Sequence, residues 1–180
     1  MLHYIIDFFR FIREYFYSLN KSIVFTKGEN FLNANELKES LEKAGCKVLT
    51  CLCFFMRPEE VCAHYPHIVG KSFFPETQKP FHDYPIYFME VRGNCDTIIK
   101  VIGTETNADE CDEGTFRKKH GHGYENAAHR TGKRRERPAE WRRFLGKNGI
   151  VTKYRKDIQR QSEDHIRMAE VLLKMGKVQQ

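Results

Sequence analysis

The chain has 180 residues, enough for one domain with additions or at most two small ones. Hydrophobic residues at 41% and aromatics at 13%, with 14 Phe and 8 Tyr, bring a real core within reach, and no run of about 20 uninterrupted apolar residues exists to span a bilayer. Charged residues reach 30% and the formal net charge is +6, which favours anionic partners (nucleotides, nucleic acid or an acidic membrane) without choosing among them.

The opening stretch, LHYIIDFFRFIREYFYSLNKS, places Ile5, Phe8, Phe9, Ile12, Phe16 and Leu19 at helical spacing, and Asp7, Arg10, Arg13 and Glu14 break its apolar run. It lacks the continuous apolar segment and small-residue cleavage site of a signal peptide. Residues 1–21 are therefore expected to form an amphipathic helix docked on its own domain or on a sister subunit, not a membrane anchor. Ser22–Thr26 is short, β-branched and closed by Lys27-Gly28, the pattern of a buried strand. Asn33 or Asn35 can cap a helix running to about Ala44, with Leu37 and Leu41 inward and Gly45 ending it. Lys47–Met56 reads as the second strand. Pro58 opens a short helix, where a proline in the first turn forfeits no hydrogen bond.

Pro66 to Pro85 reads as irregular because of its prolines, and Ile86–Val91 as a third strand. Asn94 or Asp96 can cap a helix carrying Ile98, Ile99, Val101 and Ile102. Gly103 to Tyr124 shows little periodicity and predicts a long loop, which in a compact domain is usually functional or disordered. After Pro138 comes a short amphipathic helix, AEWRRFL. Lys153–Lys174 predicts a longer, highly charged one with Tyr154, Ile158, Ile166, Ala169 and Leu173 as a thin apolar stripe. This order points to an α+β domain whose small antiparallel sheet is covered by helices.

Six cysteines, at 46, 51, 53, 62, 95 and 111, form no Cys-x-x-Cys pair. Cys51 and Cys53 share one face of a strand, a spacing that suits packing better than chelation. Reduced, mostly buried thiols in a cytoplasmic protein are expected.

Chemistry concentrates between Glu113 and Arg137, where EGTFRKKHGHGYENAAHRTGKRRER holds three histidines, many cations and almost nothing apolar. A metal site built on His120, His122 and Cys111 or Asp109 is disfavoured, since one residue separates the histidines and no second ligand pair follows. Lys133, Arg134, Arg135, Arg137, Arg142 and Arg143 offer a nucleic-acid grip. That signal is weak, because a basic cluster binds phosphate on any fold, and Glu136 and Glu140 dilute it.

The third reading uses residues spread along the chain. Lys27, His64-Tyr65, Gly70-Lys71-Ser72-Phe73-Phe74, Lys100, Glu105-Thr106-Asn107 with Ala108-Asp109, Gly114-Thr115-Phe116-Arg117, Asn126-Ala127-Ala128-His129 and Glu140 occur in an order that resembles the nucleoside diphosphate kinase family, over roughly residues 22 to 145. The last group weighs most: in the family the phosphorylated histidine follows an asparagine by three residues, and its supporting glutamate lies at the interval that separates His129 from Glu140.

The resemblance implies a ferredoxin-like βαββαβ core over residues 22–150, with helical extensions over 1–21 and 151–180. It implies ping-pong transfer of the γ-phosphoryl of ATP or another nucleoside triphosphate to a nucleoside diphosphate, through a phosphohistidine at His129. Glu140 would orient the ring and Tyr65 would sit beside it. Arg117, Lys100 and Thr106 would grip the phosphates, Lys27 and Asn126 would contact the sugar hydroxyl and the phosphate bridge, and Phe73 would stack on the base. Mg2+ would arrive with the nucleotide, with no metal ligand set of the protein's own. A homo-oligomer built from dimers, and no membrane partner, are likewise implied. The chain departs from the family pattern at Gly28, Lys100 and Arg130-Thr131-Gly132, where Arg130 adds a cation expected to keep the imidazole neutral. Two alternatives stand beside this reading: a catalytically weak or inactive relative serving as a binding or scaffold module, and a nucleic-acid-binding protein using Lys133–Arg143.

Overall fold

The computed structural model describes residues 2–153, so the predicted helix over Lys153–Lys174 and the 151–180 extension lie outside the described residues beyond Lys153. Four strands form one antiparallel sheet: β1 (Lys21–Thr26), β2 (Lys47–Phe54), β3 (Ile86–Arg92) and β4 (Ala128–Arg130). Their spatial order is β2-β3-β1-β4, the arrangement of a ferredoxin-like α+β fold. β1 lies between β3 and β4, and all six of its residues are buried.

Alternation along β1 sends Ile23 and Phe25 to one face and Val24 to the other. Ile23 and Phe25 pack with Phe88, Phe81, Trp141 and Phe144. Val24 packs with Leu37, Leu41, Ile98 and Ile102. The second face is covered by α2 (Ala34–Lys43) and α5 (Cys95–Ile102); the first by α3 (Pro58–His64), α4 (Phe74–Asp83) and α7 (Arg137–Leu145). Leu37 and Leu41 point inward as their spacing predicts. Gly45, at φ +82°, adopts the left-handed conformation that lets the chain leave α2 and enter β2. Asn94 caps α5, its side chain accepting a hydrogen bond from the Asp96 backbone N–H at 2.8 Å.

Three elements differ from the sequence expectation. The stretch expected to be irregular contains α4, which begins with Pro75 in its first turn and carries Pro80 inside. The expected loop from Gly103 contains a short 3-10 turn at Ala108–Glu110 and α6 (Phe116–His120), started by the Thr115 side chain accepting from the Lys118 N–H. The amphipathic helix α1 (Leu2–Ser18) is present, but its apolar stripe faces solvent: Tyr4, Phe8, Phe9 and Phe16 are all at least 60% exposed. Its polar side meets the domain instead, where Glu14 pairs with Arg142 at 3.7 Å, Asp7 with Lys147 at 3.8 Å, and Tyr17 packs edge-on to Trp141. α8 (Ile150–Lys153) closes the described chain against α7.

All six cysteines are free thiols; Cys46, Cys53 and Cys111 are buried, and Cys51, Cys62 and Cys95 partly so. Among the described residues no helix is long and apolar enough to cross a membrane.

Candidate active site

β4 is only three residues long, yet it places the His129 imidazole. Antiparallel pairing sets His129 opposite Phe25 on β1. The two rings lie stacked, 4.4 Å between centroids and 16° between planes. Thr131, just past β4, fixes this register: its N–H donates to the Ile23 carbonyl at 3.0 Å and its hydroxyl accepts from the Ile23 N–H at 2.9 Å.

Around His129 two helices converge, α3 and α7. Glu140, in the first turn of α7, has Oε1 2.5 Å from His129 Nε2. His64, at the end of α3, has Nε2 3.4 Å from His129 Nδ1 and 3.8 Å from the Glu140 carboxylate. Arg143, one turn beyond Glu140, donates from Nη1 to the His64 carbonyl at 3.2 Å and lies 3.3 Å from His64 Nδ1. Tyr65 lies edge-on to His129 at 6.3 Å, and its hydroxyl is buried without a hydrogen-bond partner among the described residues.

The surroundings are cationic. Burial depresses the pKa of His129 well below its ordinary value, and Lys27, Arg117, Arg130 and Arg143 push the same way, so the imidazole is neutral. Burial likewise raises Glu140, while His64, Thr131 and Arg143 oppose the rise. Lys27, half-buried at the exit of β1, is brought down to about 7 by burial and by Arg117.

Arg117, Arg130 and Asn126 together clasp one stretch of loop. Arg130 donates to the carbonyls of Gly103 at 2.9 Å and Thr104 at 2.7 Å, Arg117 to that of Glu105 at 2.5 Å, and Asn126 to that of Thr106 at 3.0 Å. Four successive carbonyls are thus held by residues on or beside β4 and α6. Arg117 also donates twice to the Ala128 carbonyl, at 3.0 and 2.9 Å. The close crossing needs Gly103, since a Cβ there would stand 2.7 Å from Cys111 Sγ and 3.1 Å from Arg117 Cβ. Asn126 Oδ1 is left buried without a partner among the described residues.

Of the residues singled out from sequence, the structure gathers His129, Glu140, Lys27, Tyr65 and Arg117, with Asn126 tied to the Thr106 backbone. Thr106 contributes its carbonyl, and its side chain is exposed. Phe73, 52% exposed at the start of α4, and Lys100, exposed on α5, stand outside the hydrogen-bonded group. Sequence reasoning named His64 within the His64-Tyr65 motif and Arg143 within the basic cluster but gave neither a role at His129. Arg143 lies three residues after Glu140 and so shares its helix face, while nothing local shows that His64 meets that face.

His64, His129 and Glu140 also form a grouping of metal-ligand spacing, with ligand atoms within 4.8 Å of one another. Two imidazoles and one carboxylate ringed by Lys27, Arg117, Arg130 and Arg143 do not suit Mg2+, which takes oxygen ligands. Half of the basic stretch Lys133–Arg143 is committed within the fold: Arg137 is buried and donates to the Leu19 and Gly93 carbonyls, Arg142 pairs with Glu14, and Arg143 holds His64, whereas Lys133, Arg134 and Arg135 are exposed.

Solved structures with the same fold include nucleoside diphosphate kinases from three organisms. One from Halobacterium salinarum, described in complex with CDP, is 21% identical, covers 62% of this chain and 76% of its own, and has a TM-score of 0.57. That from Encephalitozoon cuniculi is 20% identical, covering 71% and 89%, with a TM-score of 0.62. A family protein from Babesia bovis is 19% identical, covering 67% and 84%, with a TM-score of 0.61. No curated protein matches the chain closely enough to count as a relative. The family model for nucleoside diphosphate kinase matches residues 22–150, the whole span from β1 through α7, and the chain belongs to that family.

Proposed function

We propose that the chain is an active nucleoside diphosphate kinase that works by a ping-pong mechanism through His129. The observation that carries this reading is a neutral imidazole held by Glu140 at 2.5 Å and faced by four cations. With its proton on Nε2, directed at the carboxylate, the ring keeps a lone pair on Nδ1. In the first half-reaction that pair forms an N–P bond to the γ-phosphorus. The bond from phosphorus to the bridging oxygen breaks, and its electron pair leaves on the nucleoside diphosphate. The second half-reaction returns the phosphoryl group to the oxygen of a different diphosphate.

Phosphoryl transfer spreads charge over the moving oxygens, so positioned cations are the main catalysts. In this reading Arg117, Lys100 and Thr106 hold the phosphates, Lys27 and Asn126 contact the sugar hydroxyl and bridging oxygen, and Phe73 stacks on the base. Mg2+ enters as part of the substrate, bound to phosphate oxygens and water. The Asn126 Oδ1 and Tyr65 hydroxyl, both buried without a partner among the described residues, support the reading, because each can take up a polar group of a ligand.

Incubation with Mg-ATP labelled in the γ position is expected to give a phosphoryl label that is alkali-stable and acid-labile, and absent from His129→Ala. Failure to label sinks the reading. A second reading, a nucleotide-binding module without turnover, is favoured by one observation: Arg117 donates to two backbone carbonyls instead of standing free for phosphate. ATP binding without a phosphohistidine would select it.

A further inference from the structure

We propose that Arg143 and His64 are a positioning pair, which fixes the proton of His129 on Nε2 and covers Nδ1 until a phosphoryl group displaces the His64 ring. The inference rests on the phosphohistidine reading only for its catalytic consequence; the placement of the proton stands on geometry.

A guanidinium has five N–H donors and no acceptor. Facing it at 3.3 Å, His64 Nδ1 must therefore present a lone pair. His64 is only 4% exposed, and burial holds its pKa far below the ordinary value, so its ring is neutral. Its single proton then sits on Nε2. That N–H points at His129 Nδ1, 3.4 Å away, which must in turn be an acceptor. The one proton of neutral His129 is left on Nε2, where Glu140 receives it at 2.5 Å. Arg143 at one end and the Glu140 carboxylate at the other thus impose one order of protons along the path, Arg143 through His64 and Glu140 directly. The link to Nδ1 is the longest in the chain, so it holds the lone pair without binding it tightly. Without Arg143, His64 gains the option of a proton on Nδ1. Two lone pairs would then meet at the His64–His129 contact, and the His129 proton would be drawn to Nδ1, the atom required as nucleophile.

The groups facing His129 from every packed element are Lys27 beyond β1, His64 on α3, Arg117 on α6, Arg130 on β4, and Glu140 and Arg143 on α7. Of these only Arg143 touches the far nitrogen of His64, so a change there alters the tautomer through His64 and leaves the other groups in place.

The test is 15N NMR of the imidazole nitrogens in the full chain without nucleotide, alongside kinetics. Wild type is expected to show His64 and His129 each protonated on Nε2 alone. Arg143→Met is expected to give a mixture of His129 tautomers, and Arg143→Lys to restore the single form. If the enzyme turns over, kcat should fall roughly ten- to a hundredfold in Arg143→Met with KM little changed, the range seen when the outer partner of a functional imidazole is removed. A wild-type His64 protonated on Nδ1 overturns the proposal without any variant. So does an unchanged His129 tautomer in Arg143→Met. A tautomer shift in a protein that forms no phosphohistidine keeps the positioning pair and rejects the kinase reading.

Discussion

Lys27 carries a charge that its buried, cationic surroundings resist. Burial and Arg117 bring its pKa down to about 7, so near neutrality a fraction of the molecules hold it uncharged. A triphosphate favours the ammonium and raises that pKa. Nucleotide binding near pH 7.5 should therefore take up protons, read as a dependence of calorimetric binding enthalpy on the ionisation enthalpy of the buffer. Lys27→Met should abolish that dependence. The sign for stability follows by linkage. The unfolded lysine keeps its proton up to its ordinary value of 10.5, while the folded one loses it above about 7, so stability rises with pH through that window. The cost of the buried charge is fully present below about 7. Lys27→Met should flatten this part of a pH–stability profile, measured by denaturant unfolding. The pairing of His129 with Glu140 was legible in sequence because the family resemblance supplies the interval between them. Their contacts with His64 and Arg143 were not legible: those depend on how α3 and α7 meet over β4, which no local pattern encodes.

At the scale of elements, the three residues of β4 hold because Thr131 adds two backbone-directed bonds to Ile23. Thr131→Val keeps the shape but leaves the Ile23 N–H buried and unpaired, a loss of about 1–3 kcal/mol. A thermal melt should register this loss, and any phosphohistidine formation should slow as the register of His129 loosens. An unchanged melting temperature would mean that water replaces the hydroxyl. β1, β2, β3 and α2, α3, α5 and α7 were readable from period, caps and glycines, whereas β4 is too short to show a period. α4 was hidden by Pro75 and Pro80. The first sits in the opening turn, where a missing N–H costs nothing, and the second is tolerated because Phe74 and Phe81 are anchored in the interior. Gly103 to Tyr124 lacked periodicity because its order comes from side chains gripping backbone, not from a buried helical face.

For the whole molecule, α1 shows the limit of amphipathic reasoning. Periodicity tells which residues share a face, but not which way that face turns. Here Glu14–Arg142 and Asp7–Lys147 turn the polar side toward α7, and Tyr4, Phe8, Phe9 and Phe16 face outward. An apolar surface of this kind marks an association site. The protein is expected to be an oligomer at micromolar concentration by light scattering, and a monomer there would refute this. Removing residues 1–20 should alter assembly or solubility while leaving label formation at His129 unchanged, because α1 supplies none of the side chains that touch that ring.

The clasp on carbonyls 103 to 106 has one more consequence, and it concerns motion. Arg117 grips the Glu105 and Ala128 carbonyls at once, so the loop and β4 are mechanically one piece. A nucleotide that draws this guanidinium onto its phosphates exchanges one set of acceptors for another, and the edge of the sheet is left slack. Ligand binding ordinarily slows amide exchange around a site. In this protein the amides of Lys27 and Thr131, which pair β1 with β4, should exchange faster when the site is loaded: occupancy would be felt as a loosening of the strand that carries His129.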